Sequence, residues 1–327
     1  MWFMTRRVGF YVLTFWVAIT INFLIPRLMP GNPVQVVFAR IRHQATPATV
    51  RAFSAAFGLD THQGVLGQYG AYLGQLAHGN LGVSITYFPD SVASVLRQAL
   101  PWTIVLVGLA TVISFVLGTL LGILCAAKRG KPLVDGLLPA TAFFSAVPYF
   151  WLGLVVLTVF AVQLGWFPLS GGYSVTTQPG FNWPFITSAV AHGILPAVTI
   201  VVSSVAGWLL GMRNVMIPTL SEDYALLAEA KGLRRRRVLF TYAARNAILP
   251  NISGFAMSLG FIVGGAILTE VVFSYPGVGY VLLQAVTNLD YPLMQGIFLV
   301  ITVLVLVANL LADAAYAFLD PRTREAQ

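Results

Sequence analysis

The stretch WTIVLVGLATVISFVLGTLLGILCAA, Trp102 to Ala127, runs 26 residues without a charged side chain. A helix needs about 20 predominantly apolar residues to cross the hydrocarbon core of a bilayer. This one is long enough. Working outward, five more candidate spans follow the same pattern: Val8–Met29, Leu137–Trp166, Ala189–Met212, Ile252–Val272 and Pro292–Phe318. Hydrophobic residues make up 57% of the 327, charged residues 9%, and the mean hydropathy is +0.81. A soluble domain carries about 25% charged residues, so this chain cannot coat a soluble surface. It reads as an all-α polytopic membrane protein with six transmembrane helices. The first span follows Arg6-Arg7, is too long for a secretory signal and lacks a small-x-small cleavage site, so it reads as an anchor that stays.

Lysine and arginine set the orientation. With the N-terminus inside, the cytoplasmic segments hold Arg6, Arg7, Lys128, Arg129, Lys131, Arg213, Lys231, Arg234 to Arg237, Arg245, Arg322 and Arg324, fourteen of the nineteen basic residues. The net charge of +8 is thereby explained by topology, without nucleic acid. Both termini fall in the cytoplasm, and the organisation becomes residues 1–29, an N-terminal segment with the first span; 30–100, an extracytoplasmic segment; 101–318, a five-helix core with a cytoplasmic loop at 213–251; and 319–327, a tail. In the outer segment Thr46-Pro47 resembles a helix start and Gly58 a helix stop. Val65, Leu66, Tyr69, Tyr72, Leu73 and Leu76 recur at helical spacing before Gly79, and Pro89-Asp90 can open a further helix through Leu100. A small helical insertion on the outer bilayer surface is expected.

Catalytic chemistry is missing from the pattern. His43, His62, His78 and His192 are scattered, and the single Cys125 rules out a disulfide framework or a cysteine metal site. Gly130-Lys131 fails as a phosphate loop, because Cys125 and Pro132 occupy the positions of the first glycine and the Ser/Thr. No cofactor or metal site is expected in this chain. Glu270 and Asp313 lie near span ends, where hydration is expected, and no carboxylate sits at a midplane as in an ion-coupled transporter. Pro139, Pro148 and Pro196 are expected to interrupt the third to fifth spans and mark the transport pathway, or to be ordinary kinks.

The loop SEDYALLAEAKGLRRRRVLFTYAARNAILP, Ser221 to Pro250, concentrates charge that the rest of the chain avoids. Thr219-Leu220-Ser221-Glu222 fits a capping box, and Gly232 suits a left-handed helix stop. Between them Ala225, Ala228 and Ala230 interleave with Tyr224, Leu226 and Leu227: small residues for close approach, large ones to fill pockets. The loop reads as a docking knob or as an interfacial connector, with the arginines anchored beside anionic membrane lipid.

These residues resemble the cytoplasmic EAA loop of ABC importer permeases, in the form of the dipeptide, oligopeptide and nickel family. Asp223-Tyr224, Ala228, Ala230-Lys231-Gly232-Leu233, the arginines, and Arg245-Asn246-Ala247 before Pro250 carry the likeness, while Leu226 and Leu227 replace the general Glu-Ala pair. In order along the chain, MPGNPV (Met29–Val34), HGNLGVS (His78–Ser84), LPWTIVL (Leu100–Leu106), AAKRGKPLVD (Ala126–Asp135), SAVPYFWLG (Ser145–Gly153), FSYPGVGYVL (Phe273–Leu282), DYPLMQG (Asp290–Gly296) and ADAAYAFLDPR (Ala312–Arg322) match as well. The resemblance implies a type I ABC importer permease fold in a bacterial or archaeal inner membrane. It also implies a second homologous permease, two ABC ATPase subunits holding ATP and Mg, and an extracytoplasmic substrate-binding protein. It assigns ATPase coupling to Glu222, Asp223, Tyr224, Ala228, Ala230, Lys231, Gly232 and Arg234. Tyr275, Pro276, Gly277, Gly279 and Tyr280 fall to an outer gate or partner loop. Peptide is the implied cargo, with oligosaccharide and then nickel as alternatives; a self-sufficient secondary transporter remains the rival class.

Overall fold

The computed structural model describes residues 2–30, 64–260 and 262–319, in which every regular element is a helix apart from one isolated bridge, Val83 to Ser91. The α-helices of six residues or more are, in chain order, α1 (Trp2–Leu28), α2 (Val65–Ala77), α3 (Val92–Ala127), α4 (Pro132–Ala146), α5 (Tyr149–Val156), α6 (Trp183–Thr219), α7 (Asp223–Ala230), α8 (Leu249–Gly260), α9 (Ile267–Val272), α10 (Val278–Thr287) and α11 (Tyr291–Leu319). Residues 157–163 continue α5 as a π-helical coil, and 238–243 form a second such coil after α7. Two compact units divide the chain: 1–102 with 276–306, and 103–275 with 307–327.

Among the described residues four helices are long and apolar enough to cross a membrane: Gly9–Leu28, Val92–Ala127, Trp183–Thr219 and Tyr291–Leu311. The expected third span is a pair of helices bent by 100°, Gly136–Ala146 and Tyr149–Gln163. Val147 and Pro148 are both extended there (ψ 128° and 127°). Proline disfavours helical geometry in the residue before it and offers no N–H to the ladder. Pro139 and Pro196, expected to interrupt in the same way, lie inside unbroken α4 and α6. Within the expected fifth span the helix Ile262–Gly265 ends and α9 begins at Ile267, with Ala266 off helical geometry between them (φ −118°, ψ 16°) and Gly264 and Gly265 just before the break. Among the described residues, continuous helices therefore account for four of the six expected spans, and five if the bent pair counts as one.

In the first unit α2 packs on the C-terminal end of α1. Phe23 meets Tyr69 and Tyr72 at 5.1 and 5.6 Å between ring centroids, and Thr20 shares a 2.7 Å hydrogen bond with the Tyr69 hydroxyl. Val65 and Leu66, placed on that apolar face by spacing, are instead exposed. The helix expected to start at Pro89-Asp90 is simply the beginning of α3, which runs unbroken through Pro101. The helix expected at Thr46-Pro47, ending at Gly58, lies outside the described residues. Asp290 ties the unit together. Fully buried, it accepts hydrogen bonds from Ser84 Oγ (2.5 Å) and the Thr86 amide (2.7 Å), and it caps α11 through the Leu293 amide (3.1 Å). Two motifs 206 residues apart, HGNLGVS and DYPLMQG, thus meet. Gly296 completes the contact, since a Cβ there would overlap Val92 at the start of α3.

In the second unit α6 is central. A Cβ on Gly118 or Gly122 of α3 would lie 2.6 Å from the Val205 or Leu209 carbonyl oxygen of α6, so the two backbones touch across a small-xxx-small seam. At the far end Met212 and Met216 of α6 pack with Ile123 and Ala126 of α3 and with Leu239, Ala243, Ala244 and Ala247 beyond α7.

Candidate functional site

The loop at 213–251 is built on that methionine cluster. Helix α6 runs to Thr219, whose hydroxyl donates back to the Val215 carbonyl at 2.7 Å. Thr219 is therefore the last residue of one helix and not the cap of the next, and the capping box is corrected. Glu222 takes the N-cap position of α7 without a side-chain bond, and Asp223 supplies the negative charge of the first turn. Two turn residues are needed because the chain must leave α6 before it can re-enter a helix.

The far end of α7 behaves as expected. Gly232 has φ +72°, and its amide donates to the Glu229 carbonyl at 2.9 Å while the Leu233 amide donates to the Ala228 carbonyl at 3.3 Å. This is a Schellman closure, with Leu233 packing back on the helix it ends. Nothing lies within 4 Å of a Cβ placed on Gly232, so backbone conformation alone asks for glycine.

The faces of α7 divide sharply. Ala225 and Ala228 are buried against Val238, with Leu233 and Tyr242 around them. Ala228 is therefore a floor residue, not part of the surface that a partner could touch. Glu222, Asp223, Tyr224, Ala230, Lys231, Gly232 and Arg234 are exposed, as the docking reading requires. The largest apolar surface belongs to Leu226 and Leu227, 50% and 55% exposed, the two positions that depart from the general EAA pattern. Val238 and Leu239 then carry the packing from α7 into the cluster around Met212 and Met216. Arg235 adds a second tie: its Nη2 donates to the Ala127 carbonyl, the last of α3, at 3.0 Å. A cation suits that helix end.

At the other candidate region, Tyr275 is buried and its phenol is pushed up to about 12 by burial, with the Glu270 charge adding to it. Pro276 is half-buried, Gly277 caps α10, and Gly277 and Gly279 are both buried. Tyr280 is half-exposed, and Leu283 and Val286 continue an exposed stripe along α10 at spacing of three. Of the five residues assigned to an outer loop, Tyr280 and Pro276 reach the surface. Leu283 and Val286 were missed, although their spacing was readable.

Residues 118–325 match the family model for the binding-protein-dependent transport system inner membrane component. The chain belongs to that family. The permease is 34% identical to the di/tripeptide transport system permease protein DppB of Pseudomonas aeruginosa, over 98% of both chains. It is 34% identical to the oligopeptide transport system permease protein AppB of Bacillus subtilis and 36% identical to a putative peptide permease protein of Brucella suis, over 92% of each chain in both cases. It is an ABC importer permease of the peptide family and a multi-pass inner-membrane component.

One ionisable residue of the permease departs from expectation. Glu270, read as hydrated near a span end, is 1% exposed and accepts a 2.6 Å hydrogen bond from Thr103 Oγ1. A carboxyl group buried this deeply requires such partners. The Asp313 side chain lies outside the described residues. Among the described residues no group of three His, Cys, Asp or Glu side chains could hold a metal ion.

Proposed function

We propose that this permease imports peptides and that α7 is its coupling helix, taking the push of ATPase closure and passing it to the spans. One observation carries the proposal: α7 exposes Tyr224, Leu226 and Leu227 while its underside packs through Val238 and Leu239 onto Met212 and Met216 of α6. A load on the exposed face would reach a membrane-crossing helix through two packed clusters joined at the Val238–Leu239 peptide. Interiors of that density transmit displacement because they do not compress.

In this reading the membrane is crossed six times, by α1, α3, the bent α4–α5 pair, α6, the divided α8–α9 segment and α11, with both termini cytoplasmic. The basic residues on one side support that orientation. A small helical insertion covers the outer surface, and the Tyr280 stripe of α10 meets the substrate-binding protein or cargo. A second homologous permease completes the pathway, and two ABC ATPase subunits bind ATP and Mg. This chain holds no cofactor. The peptide relatives named above favour peptide over oligosaccharide, and the lack of a ligand cluster among the described residues disfavours nickel. Uphill import needs the ATP cycle because a ligand alone cannot drive it.

The test is to co-purify the permease with its partners and screen peptides and oligosaccharides for stimulated ATP hydrolysis. Peptide-stimulated hydrolysis that needs the binding protein is expected. Uptake by the permease alone that collapses with an ionophore would make it a secondary transporter instead.

A further inference from the structure

Two cavities open along α6 and share the Ser204 side chain. One, of about 300 Å³, lies at the α4–α5 break beside Pro148, Tyr149 and Ser203. The other, of about 460 Å³, is lined by Thr111, Ser114, Trp208, Asn251 and Ser258 along with Ser204, and by glycines at 207 and 254. Among the described residues neither lining includes a charged side chain. Polar groups grouped within membrane spans face protein or a water-filled path, because lipid offers them no partner.

The hydrogen bonds define what this wall has left to offer. Thr111 Oγ1 donates to the Val107 carbonyl at 2.7 Å, Ser114 Oγ to the Thr111 carbonyl at 3.0 Å, and Ser258 Oγ to the Phe255 carbonyl at 2.7 Å. Ser203 Oγ donates to the Thr199 carbonyl at 2.9 Å. Each hydroxyl has thus used its one donor on its own helix and keeps acceptor capacity. Asn251 is held in place: its amide donates to the Trp208 carbonyl at 3.2 Å and to Thr119 Oγ1 at 3.4 Å, and its Oδ1 lies against Gly211. Phe115 packs edge-on to Trp208 at 5.3 Å and steadies it as an aromatic wall. The surface is uncharged, rich in acceptors and aromatic on one side.

We infer that this face of α6 is a transit site for the cargo peptide, taking its N-terminal ammonium and backbone N–H groups and ignoring its side chains. The inference rests on the importer reading above and gives it a place within the membrane. An ammonium brings three donors to a ring of acceptors and a positive charge to an aromatic face. A free anion would find the donors of these four hydroxyls already spent, and a bare metal ion would find neither carboxylate nor imidazole in the described lining. Uncharged, back-bonded hydroxyls hold a ligand loosely, as release into the cell demands.

Gly207 is the probe. It lines the larger cavity, and a Cβ added there meets nothing within 4 Å. Leucine is a good helix former, so Gly207→Leu occupies cavity space without straining α6. The permease would be assembled with its ATPases and binding protein, and uptake of di-, tri- and tetraalanine measured. Loss of peptide uptake is expected in Gly207→Leu while the ATPases still co-purify. Gly207→Cys is expected to react with a charged, water-soluble thiol reagent, with alanine peptide slowing the reaction; the one native cysteine, Cys125, is buried. Wild-type uptake in Gly207→Leu, or a Gly207→Cys thiol reached only by a lipid-soluble maleimide, overturns the transit site and leaves the importer reading standing. If the wild-type complex moves none of these peptides, the importer reading fails and the transit site falls with it. If Gly207→Leu does not assemble, the cysteine reaction decides.

Discussion

Replacing Gly232 should uncouple transport in a graded way that the structure sets. The residue sits at φ +72°, and its amide and that of Leu233 close α7 onto the carbonyls of Glu229 and Ala228. An L-residue with a Cβ held in that conformation costs roughly 1–2 kcal/mol. Since nothing lies within 4 Å of that Cβ, no steric term inside this chain adds to the cost. A penalty of about 1.4 kcal/mol shifts the closed and frayed helix ends tenfold against each other. Fraying would release Leu233 from Ala225 and Ala228, loosening the floor on which the exposed face stands. Gly232→Ala should therefore lower uptake clearly, and Gly232→Asn less, because asparagine tolerates the left-handed region. Gly232→Trp adds bulk at the surface proposed to meet the ATPase and should abolish uptake while the chain still inserts, since the site lies outside every expected span. The assay is uptake and ATPase pull-down at matched membrane expression. Normal transport by Gly232→Trp with its ATPases bound would refute the coupling role and leave α7 a connector. Equal effects of alanine and asparagine would refute the backbone argument.

Two further outcomes follow from single contacts. Asp290→Ala removes the cap of α11 and leaves buried donors on Ser84 and Thr86 unmatched, a loss of about 2–5 kcal/mol from cap and desolvation together. Amide exchange over residues 84–92 should accelerate, and unchanged protection there would sink the latch. Arg235→Gln breaks the tie to the Ala127 carbonyl and should lower uptake roughly two- to fivefold, the size of an exposed charge–dipole contact. Arg236→Gln, which breaks no such bond, should be silent; equal effects from the two would show that general charge, not the tie, is what counts.

What the sequence made legible was local or repetitive. The membrane class followed from apolar runs, the stop at Gly232 from one glycine after a short helix, and the break at Pro148 from backbone chemistry. Pro139 and Pro196 carry the same chemistry yet sit in continuous helices, because neighbouring turns absorb a missing N–H when the flanking residue stays helical. The inward face of Ala228 was unreadable, since alanines occupy both sides of α7 and only the position of Val238 decides between them. Thr219 was misread because a cap and a last-turn threonine look alike until the preceding helix end is known. Asp290 and Glu270 find Ser84 and Thr103 across long separations, 206 and 167 residues, that no local pattern encodes. The Gly118–Gly122 seam was written at the spacing of helix contacts and went unread.

The central claim is that α7 touches the ATPase and moves with it. A thiol placed on its exposed face by Leu227→Cys, in a chain whose Cys125 is buried, measures this directly. In the assembled transporter that thiol should cross-link to an ATPase subunit through a short bifunctional reagent, with a yield that changes between nucleotide-free and ATP-bound states. An ATPase that co-purifies yet never cross-links from position 227 in either state would contradict the account.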